Sequence, residues 1–121
     1  MARGMRIAVG LALACGIASG RASAQGLMRF SGVTAYYSED YRGPTASGER
    51  YDPKKFTAAH RTLPFGTRLR VTDPKSHRSV VVTVNDRGPF TKGRVLDLSL
   101  VAAKTLHRTG PGLMKVTAAV Q

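Results

Sequence analysis

A valine-rich run near the middle of the chain constrains the fold more than any other feature. Residues 79–84 read Ser-Val-Val-Val-Thr-Val. The run predicts a buried strand, because branched side chains pack well on a pleated surface and no helical period is present. Residues 85–90, Asn-Asp-Arg-Gly-Pro-Phe, follow it, and their Gly-Pro pair ends the strand because proline lacks the ladder donor. Asp86 and Arg87 therefore lie where a rigid strand becomes a loop, a position that often carries chemistry. The alternative is that Asp86 only pairs with Arg87 or caps the turn.

Most of the remaining chain divides into short segments of strand character separated by turns. The alternation of small and aromatic residues over 31–37 predicts a first strand. Strands are also predicted over 56–60, 68–72, 94–96 and 113–120, and a helix over about 98–107. Asp97 or Ser99 is expected to cap the helix, and Gly110-Pro111 to end it. About six short strands and one helix predict an all-β fold, a closed barrel, and not a parallel sheet with alternating helices.

The first 24 residues have the composition of a secretory signal peptide. Arg3 and Arg6 form a basic start, residues 7–18 are mostly apolar, and residues 22–24, Ala-Ser-Ala, match a cleavage site. The apolar run is too short for a comfortable membrane span. We therefore expect export to the periplasm or cell envelope, with residues 25–121 as one mature domain.

The single cysteine of the chain, Cys15, lies within this leader. A lipoprotein signal would carry a large aliphatic residue three positions before the cysteine, where this chain has Ala12. Plain secretion is favoured, and a lipid anchor at Cys15 stays open as the one expected route to a membrane. The mature domain then has no disulfide, so packing and sheet hydrogen bonds must hold it together.

The charge of the chain restricts its partners. It is formally +12, or about +9 once Arg3, Arg6 and Arg21 leave with the signal peptide. An exported protein with this balance meets anionic polymers or membrane surfaces of the envelope. Nucleic acid would give the same charge signal, but the basic residues are spread out, aromatics are few and no nucleic-acid motif is present, so this reading is the weakest. The three histidines lack ligand spacing, and neither a metal nor another cofactor is expected.

Four segments of the mature chain form an ordered set. They are 32–37 (Gly-Val-Thr-Ala-Tyr-Tyr), 45–52 (Thr-Ala-Ser-Gly-Glu-Arg-Tyr-Asp), 57–67 (Thr-Ala-Ala-His-Arg-Thr-Leu-Pro-Phe-Gly-Thr), and 85–90 followed by 96–99 (Leu-Asp-Leu-Ser). In that order and spacing they resemble the rare lipoprotein A (RlpA-like) family over about residues 32–120. The resemblance implies a six-stranded double-psi β-barrel, the barrel also found in expansins and related endoglucanases.

The resemblance also implies an activity. Its members are similar to endolytic peptidoglycan lytic transglycosylases, which cleave the bond between N-acetylmuramic acid and N-acetylglucosamine, prefer strands without stem peptides and leave 1,6-anhydro ends during cell-wall remodelling. The matching positions here are His60 and Asp86, with Glu49 and Asp97 as secondary candidates. Peptidoglycan glycan strands are then the partner, and the chain is expected to be a monomer. The alternative is a non-catalytic, expansin-like module that binds wall glycan.

The chemistry of such a reaction needs neither water nor a protein nucleophile, because the sugar's own 6-hydroxyl attacks the anomeric carbon. One carboxyl group can protonate the leaving oxygen and then take the proton of the hydroxyl. Asp86 fits this role if a partly apolar loop desolvates it enough to start protonated, whereas Arg87 acts in the opposite direction. His60 is expected to hold the substrate, orient Asp86 or share the proton transfer, unless it only packs at a strand end.

The remaining candidates are two carboxylates and a tyrosine. A carboxylate across a cleft from Asp86 would permit hydrolysis by water, and Glu49 and Asp97 are available. Glu49 is otherwise a solvated loop residue, and a helix cap is the favoured role for Asp97. Tyr37 can stack on a sugar ring, although aromatic residues of barrels more often pack in the core or in turns.

Overall fold

Six strands close into one barrel, and a short helix packs against it. The computed structural model describes residues 28–106 and 112–121. The elements are β1 (Arg29–Tyr36), β2 (Thr57–Ala59), β3 (Arg68–Thr72), β4 (Ser79–Asp86), β5 (Arg94–Leu98), α1 (Leu100–Leu106) and β6 (Met114–Val120). The strands follow the order β1-β5-β2-β4-β3-β6 around the closed barrel. The prediction of an all-β barrel with one helix is confirmed.

The barrel mixes parallel and antiparallel pairs. β1 pairs with β5, and β2 with β4, in parallel. The other four pairs, β1–β6, β2–β5, β3–β4 and β3–β6, are antiparallel. This mixed closure brings the ends of β4 and β5 to either side of the three-residue strand β2, although the two strands are separated in sequence.

Aliphatic side chains that alternate along the strands fill the interior. On β3, Leu69 and Val71 are fully buried and the neighbouring Arg68 and Arg70 are exposed, as the alternation predicts. The same period buries every second residue of the valine-rich strand β4. The core cluster comprises Ala58, Leu69, Val71, Val80, Val82, Val84, Leu96, Leu98, Ala102, Ala103, Leu106, Val116 and Ala118. Since this core needs no disulfide, the rigidity of the site derives from packing and from the closed ladder.

The end of β4 differs from the prediction in a way that concerns the site. β4 runs two residues past the valine run, because its ladder with β2 continues until Ala59 pairs with Asp86. The chain then turns through Gly88, whose φ of +116° is a backbone angle that side chains rarely adopt. Asp86 is thus the last residue of a strand, where its backbone is fixed by the sheet.

The helix begins at Leu100, two residues later than predicted, and Ser99 is its cap. The Ser99 hydroxyl accepts a hydrogen bond from the Ala102 amide at 3.4 Å, and the Ser99 carbonyl accepts one from the Ala103 amide at 3.0 Å. The interpretation of Asp97 as a helix cap is wrong, because Asp97 lies within β5. The predicted end of the helix, at 107–111, lies outside the described residues, as do the predicted signal peptide and Cys15.

Within 28–106 and 112–121, no helix is both long and apolar enough to cross a membrane. The same residues contain no group of three or more histidine, cysteine, aspartate or glutamate side chains placed to hold a metal ion.

Candidate active site

The Asp86 carboxylate at the end of β4 is held by three hydrogen-bond donors. The Tyr37 hydroxyl donates to Oδ2 at 2.5 Å, and the backbone amides of Ala46 and Arg87 both donate to Oδ1 at 2.8 Å. These donors come from three separate segments of the chain. Because Oδ1 accepts two amides, its position is fixed, and Oδ2 is the oxygen that keeps capacity for a further hydrogen bond.

The Ala46 amide reaches Asp86 because a tight turn over residues 45–49 is docked on the end of β4. The Thr45 amide donates to the Glu49 carbonyl at 2.7 Å, which closes the turn, and the Ser47 amide donates to the Asn85 carbonyl at 3.2 Å, which attaches the turn to the strand. The Asn85 side chain is buried beneath it. The turn therefore presents a backbone donor to the carboxylate as a fixed feature of the fold.

Tyr37 lies directly after β1, and a second tyrosine holds its ring in place. Its ring stacks on that of Tyr51, with 4.2 Å between ring centroids and 15° between ring planes. The Tyr51 hydroxyl accepts a hydrogen bond from the Leu100 amide at the start of α1, at 3.0 Å. Burial raises the pKa of the Tyr37 hydroxyl well above its usual value, and the hydrogen bond to Asp86 and the charges of Asp86 and Asp97 raise it further. Tyr37 therefore remains protonated and acts as a hydrogen-bond donor at neutral pH.

The Arg87 guanidinium bonds to the loop after β2 and leaves the Asp86 carboxylate to other donors. Nη1 donates to the His60 carbonyl at 3.2 Å and to the Leu63 carbonyl at 2.7 Å. The guanidinium carbon lies 4.0 Å from the centroid of the Phe65 ring, a cation–π contact. The side-chain pairing of Asp86 with Arg87 that the sequence left open is not formed, although the Arg87 backbone amide does bond the carboxylate. Arg87 joins the two loops on this side of the barrel.

The His60 backbone is hydrogen-bonded to Asp86, whereas the His60 ring accepts hydrogen bonds from the turn that follows it. The His60 amide donates to the Asp86 carbonyl at 3.1 Å. Nδ1 accepts hydrogen bonds from the Thr62 and Leu63 amides, both at 3.1 Å, and the ring centroid lies 5.2 Å from that of Phe30. Among the described residues, no hydrogen bond joins the imidazole to the Asp86 side chain. Nδ1 is an acceptor here, so the neutral ring carries its proton on Nε2, which is left to donate.

The environment of His60 opposes its protonation. Partial burial lowers the pKa of the imidazole below its usual value, and the charges of Arg61 and Arg87 lower it further. A proton on Nδ1 would also break both amide hydrogen bonds. The unfolded chain therefore binds this proton more readily than the folded one. The stability that neutral His60 contributes is fully present above about pH 6.5 and is lost as the pH falls toward the lowered pKa.

We expect His60→Asn to reduce the loss of stability on acidification. Asparagine can offer an acceptor near the position of Nδ1 but does not titrate. The free energy of unfolding, measured with urea at several values between pH 7.5 and pH 5, should fall less steeply for the variant than for the wild type. His77 and His107 are present in both proteins and cancel from the comparison. Parallel pH curves would contradict this account of His60.

Asp97 lies on the same row of the sheet as Asp86. Ala59 of β2 pairs with Asp86 on one side and with Asp97 on the other. Pairing with the same residue places both aspartates at the same end of the barrel. The Asp97 carboxylate is engaged in a salt bridge, since Arg94 Nη2 lies 2.6 Å from its Oδ1.

Glu49 lies in the turn that presents the Ala46 amide. Its Oε1 accepts hydrogen bonds from the Ser47 hydroxyl at 3.2 Å and the Asn85 side-chain amide at 3.4 Å. The residue is exposed. The structure therefore brings Glu49 to the edge of the site with a role in the turn that supports Asp86.

Two components of this arrangement had no signal in the sequence. Tyr51 belongs to the 45–52 segment without a predicted role, yet it is fully buried and fixes Tyr37 by stacking. The Ala46 amide donates through the backbone, so no side-chain motif could reveal it. The nearest available signal was the spacing of aromatic residues over 36–51, which becomes meaningful only when the chain is folded.

The sequence that forms this barrel matches a known protein family. A family model described as "Lytic transglycolase" matches residues 29–118, and the chain belongs to this family. The "Probable endolytic peptidoglycan transglycosylase RlpA" of Nostoc sp. is 53% identical over 92 residues, which cover 74% of this chain and 25% of the relative. The "Endolytic peptidoglycan transglycosylase RlpA" of Yersinia pestis is 48% identical over 86 residues, 70% of this chain and 24% of the relative. The chain thus spans about a quarter of the length of these curated relatives.

Solved structures of low sequence identity share the fold. The Streptomyces papain inhibitor matches with a TM-score of 0.63 and 22% identity, over 77% of this chain and 94% of the inhibitor. An apo expansin of Clavibacter michiganensis matches with a TM-score of 0.61 and 23% identity, over 78% of this chain and 50% of the expansin. At this identity the likeness concerns the barrel alone, and it agrees with the double-psi barrel implied by the sequence motifs.

Proposed function

We propose that this protein is an endolytic peptidoglycan lytic transglycosylase with Asp86 as its acid and base. The observation that carries the proposal is the Asp86 carboxylate, fixed at the end of the barrel by Tyr37 and two backbone amides with Oδ2 left to exchange a proton. The chain belongs to the lytic transglycosylase family, and its relatives are named as peptidoglycan transglycosylases. Both findings support the same activity.

The proposed reaction moves one proton out and one proton back. Protonated Asp86 donates from Oδ2 to the oxygen that links N-acetylmuramic acid to N-acetylglucosamine, and the bond from the anomeric carbon to that oxygen breaks. The 6-hydroxyl of the muramic acid residue attacks the anomeric carbon and gives its proton to Oδ2. The products are a 1,6-anhydro end and a free 4-hydroxyl, no water is consumed, and Asp86 returns to its starting state.

The neighbours of Asp86 serve this cycle by position and by charge. Tyr37 keeps its own proton, so it steadies Oδ2 without competing as a base. Arg87 and the Nδ1 atom of His60 fix the loop over residues 60–65 beside the site. In our proposal the Nε2–H group of His60 donates to the glycan. This assigns His60 to substrate binding and leaves the proton transfer to Asp86.

The expected setting is the bacterial cell envelope. Peptidoglycan lies outside the cytoplasm, so we propose that the protein is exported by residues 1–24 and acts in the periplasm or envelope as a monomer during wall remodelling. Secretion without lipidation of Cys15 remains the favoured form. The excess of basic residues suits an anionic wall polymer, and no nucleic-acid partner is proposed.

A digest of peptidoglycan tests the activity. The purified protein is incubated with glycan whose stem peptides have been removed by an amidase, and with intact peptidoglycan, and the products are analysed by mass spectrometry. Internal cleavage to 1,6-anhydro ends is the expected result, with the stem-free strands cleaved faster.

The other outcomes separate the alternatives. New reducing ends would mean hydrolysis, and Asp97→Asn and Glu49→Gln would then identify the second carboxylate. Sedimentation with the glycan but no cleavage would overturn the enzyme proposal and favour an expansin-like binding module.

A further inference from the structure

An open pocket beside the active site is lined by four cationic side chains. It has a volume of about 640 Å³ and includes Arg42, Arg50, Lys54 and Lys55, with Tyr51 at its wall. We call these four side chains and the space between them the cationic pocket. Nothing in the proposed proton transfer uses it, although the site and the pocket share Tyr51.

The positive charge of the cationic pocket is not neutralised by ion pairs. Glu49 and Asp52 also line it, but Glu49 is hydrogen-bonded to Ser47 and Asn85, and the Asp52 carboxylate accepts the Lys54 amide at 2.9 Å. Among residues 28–106 and 112–121, no salt bridge joins any of the four cations to a carboxylate. Four cations against two engaged carboxylates leave the space attractive to an anion.

The walls of the cationic pocket are preorganised by the backbone. Pro44 and Arg50 form an antiparallel bridge, and the Tyr51 amide donates to the Gly43 carbonyl at 2.9 Å. Arg50 Nη1 donates to the Arg42 carbonyl at 2.6 Å, so its guanidinium is held in place with other N–H groups left to bind a ligand. A preformed site loses less entropy when it binds than a flexible one.

Two residues of the cationic pocket, Glu49 and Tyr51, connect it to the groups that hold Asp86. Glu49, on its rim, belongs to the same turn as the Ala46 amide that bonds Asp86. Tyr51, in its wall, stacks on the Tyr37 ring whose hydroxyl bonds the other oxygen of Asp86. The cationic pocket therefore borders the two elements that hold the Asp86 carboxylate.

We propose that the cationic pocket binds a carboxylate carried by a muramic acid residue of the glycan strand bound at Asp86. This inference rests on the proposed function, because it takes the glycan as the ligand. The sugar rings of peptidoglycan are neutral, and the negative charge lies on the lactyl group of muramic acid when that group is free, or on the stem peptide attached to it. Binding this carboxylate would set the register of the strand, so that the bond after a muramic acid residue lies at Asp86.

Binding of glycan by charge variants tests the inference without relying on cleavage. Asp86→Asn is introduced into every protein so that the polymer stays intact. Lys54→Gln/Lys55→Gln removes two charges whose ammonium groups make no hydrogen bond among the described residues. Lys75→Gln/Arg78→Gln is the matched control, since it removes two charges from the turn before β4, about 23 Å of strand away from Asp86. Dissociation constants are measured by co-sedimentation at constant ionic strength, because exposed ion pairs are screened by salt.

Three polymers distinguish the source of the carboxylate. They are stem-free glycan with free lactyl carboxylates, the same glycan with its carboxylates converted to neutral methylamides, and intact peptidoglycan. The Lys54/Lys55 variant is expected to bind stem-free glycan about 3- to 10-fold more weakly than its parent, as expected for two exposed ion pairs, and to bind the neutral glycan equally well. The control variant should change neither constant by more than about twofold.

Each outcome decides the proposal. A loss confined to stem-free glycan identifies the lactyl carboxylate as the ligand, and a loss with intact peptidoglycan as well identifies stem-peptide carboxylates that reach the same pocket. An equal loss with the neutral glycan, an equal loss in the control variant, or no loss with either charged polymer would overturn it. Because binding is the readout, a failed digest would refute the proposed catalysis and leave this test intact.

Discussion

Replacing Asp86 with asparagine is expected to lower the rate of formation of 1,6-anhydro ends by about 100- to 10,000-fold, the range for removal of a general acid or base. The substitution keeps the shape of the side chain. Its amide oxygen can still accept the Ala46 and Arg87 amides, and its amide nitrogen can donate to the Tyr37 oxygen. What it removes is the proton that must reach the leaving oxygen. The loss should therefore fall on kcat, measured from the anhydro products by mass spectrometry over time.

Two controls accompany this prediction, one for folding and one for the loss of a carboxylate elsewhere on the protein. The thermal unfolding midpoint of Asp86→Asn should stay close to that of the wild type. Asp40→Asn, which neutralises an exposed loop carboxylate, should cleave glycan at the wild-type rate. If Asp86→Asn cleaves at a rate near that of the wild type, Asp86 does not carry the proton, and Asp97→Asn becomes the next variant to measure.

Tyr37→Phe is expected to lower kcat by about 10- to 100-fold, the effect of losing a hydrogen bond to a charged group. The ring can keep its stack on Tyr51, so only the hydroxyl is lost. Without this donor Oδ2 is less well positioned to transfer the proton. The loss should therefore fall on kcat and leave KM nearly unchanged. A purely structural role for Tyr37 would instead lower the thermal unfolding midpoint together with the activity.

Tyr36→Phe is the matched control, because Tyr36 is exposed and its hydroxyl makes no hydrogen bond among the described residues. An unchanged rate in Tyr37→Phe would show that the amides of Ala46 and Arg87 suffice to position the carboxylate.

The strands of this protein could be predicted because each carries its own local pattern. Branched residues over 79–84 and the alternation over 68–72 are properties of neighbouring residues, and they were enough to predict strands and inward faces. The end of β4 was harder, because Asn85 and Asp86 have low strand propensity. They are extended only because β2, far away in sequence, supplies the ladder partner for Asp86.

The helix cap illustrates the same limit on a smaller scale. Asp97 and Ser99 are both residue types that favour a cap, and less than one helical turn separates them. The choice between them depends on where β5 ends, and β5 continues through Asp97 because β1 and β2 pair with it on either side. Once Asp97 is in the sheet, its carboxylate is directed to Arg94, and Ser99 remains to cap the helix.

The sequence by itself determined most of the elements, the all-β barrel class and the position of Asp86 near the junction of a strand and a loop, since each follows from local propensity or from a contiguous motif. Only the tertiary structure decided what surrounds that carboxylate. Tyr37 and the Ala46 amide reach it from distant segments, and Tyr51, at the wall of the cationic pocket, stacks on Tyr37. Hydrogen bonds and charge act over a few ångströms in space, so residues distant along the chain become partners only when the barrel closes.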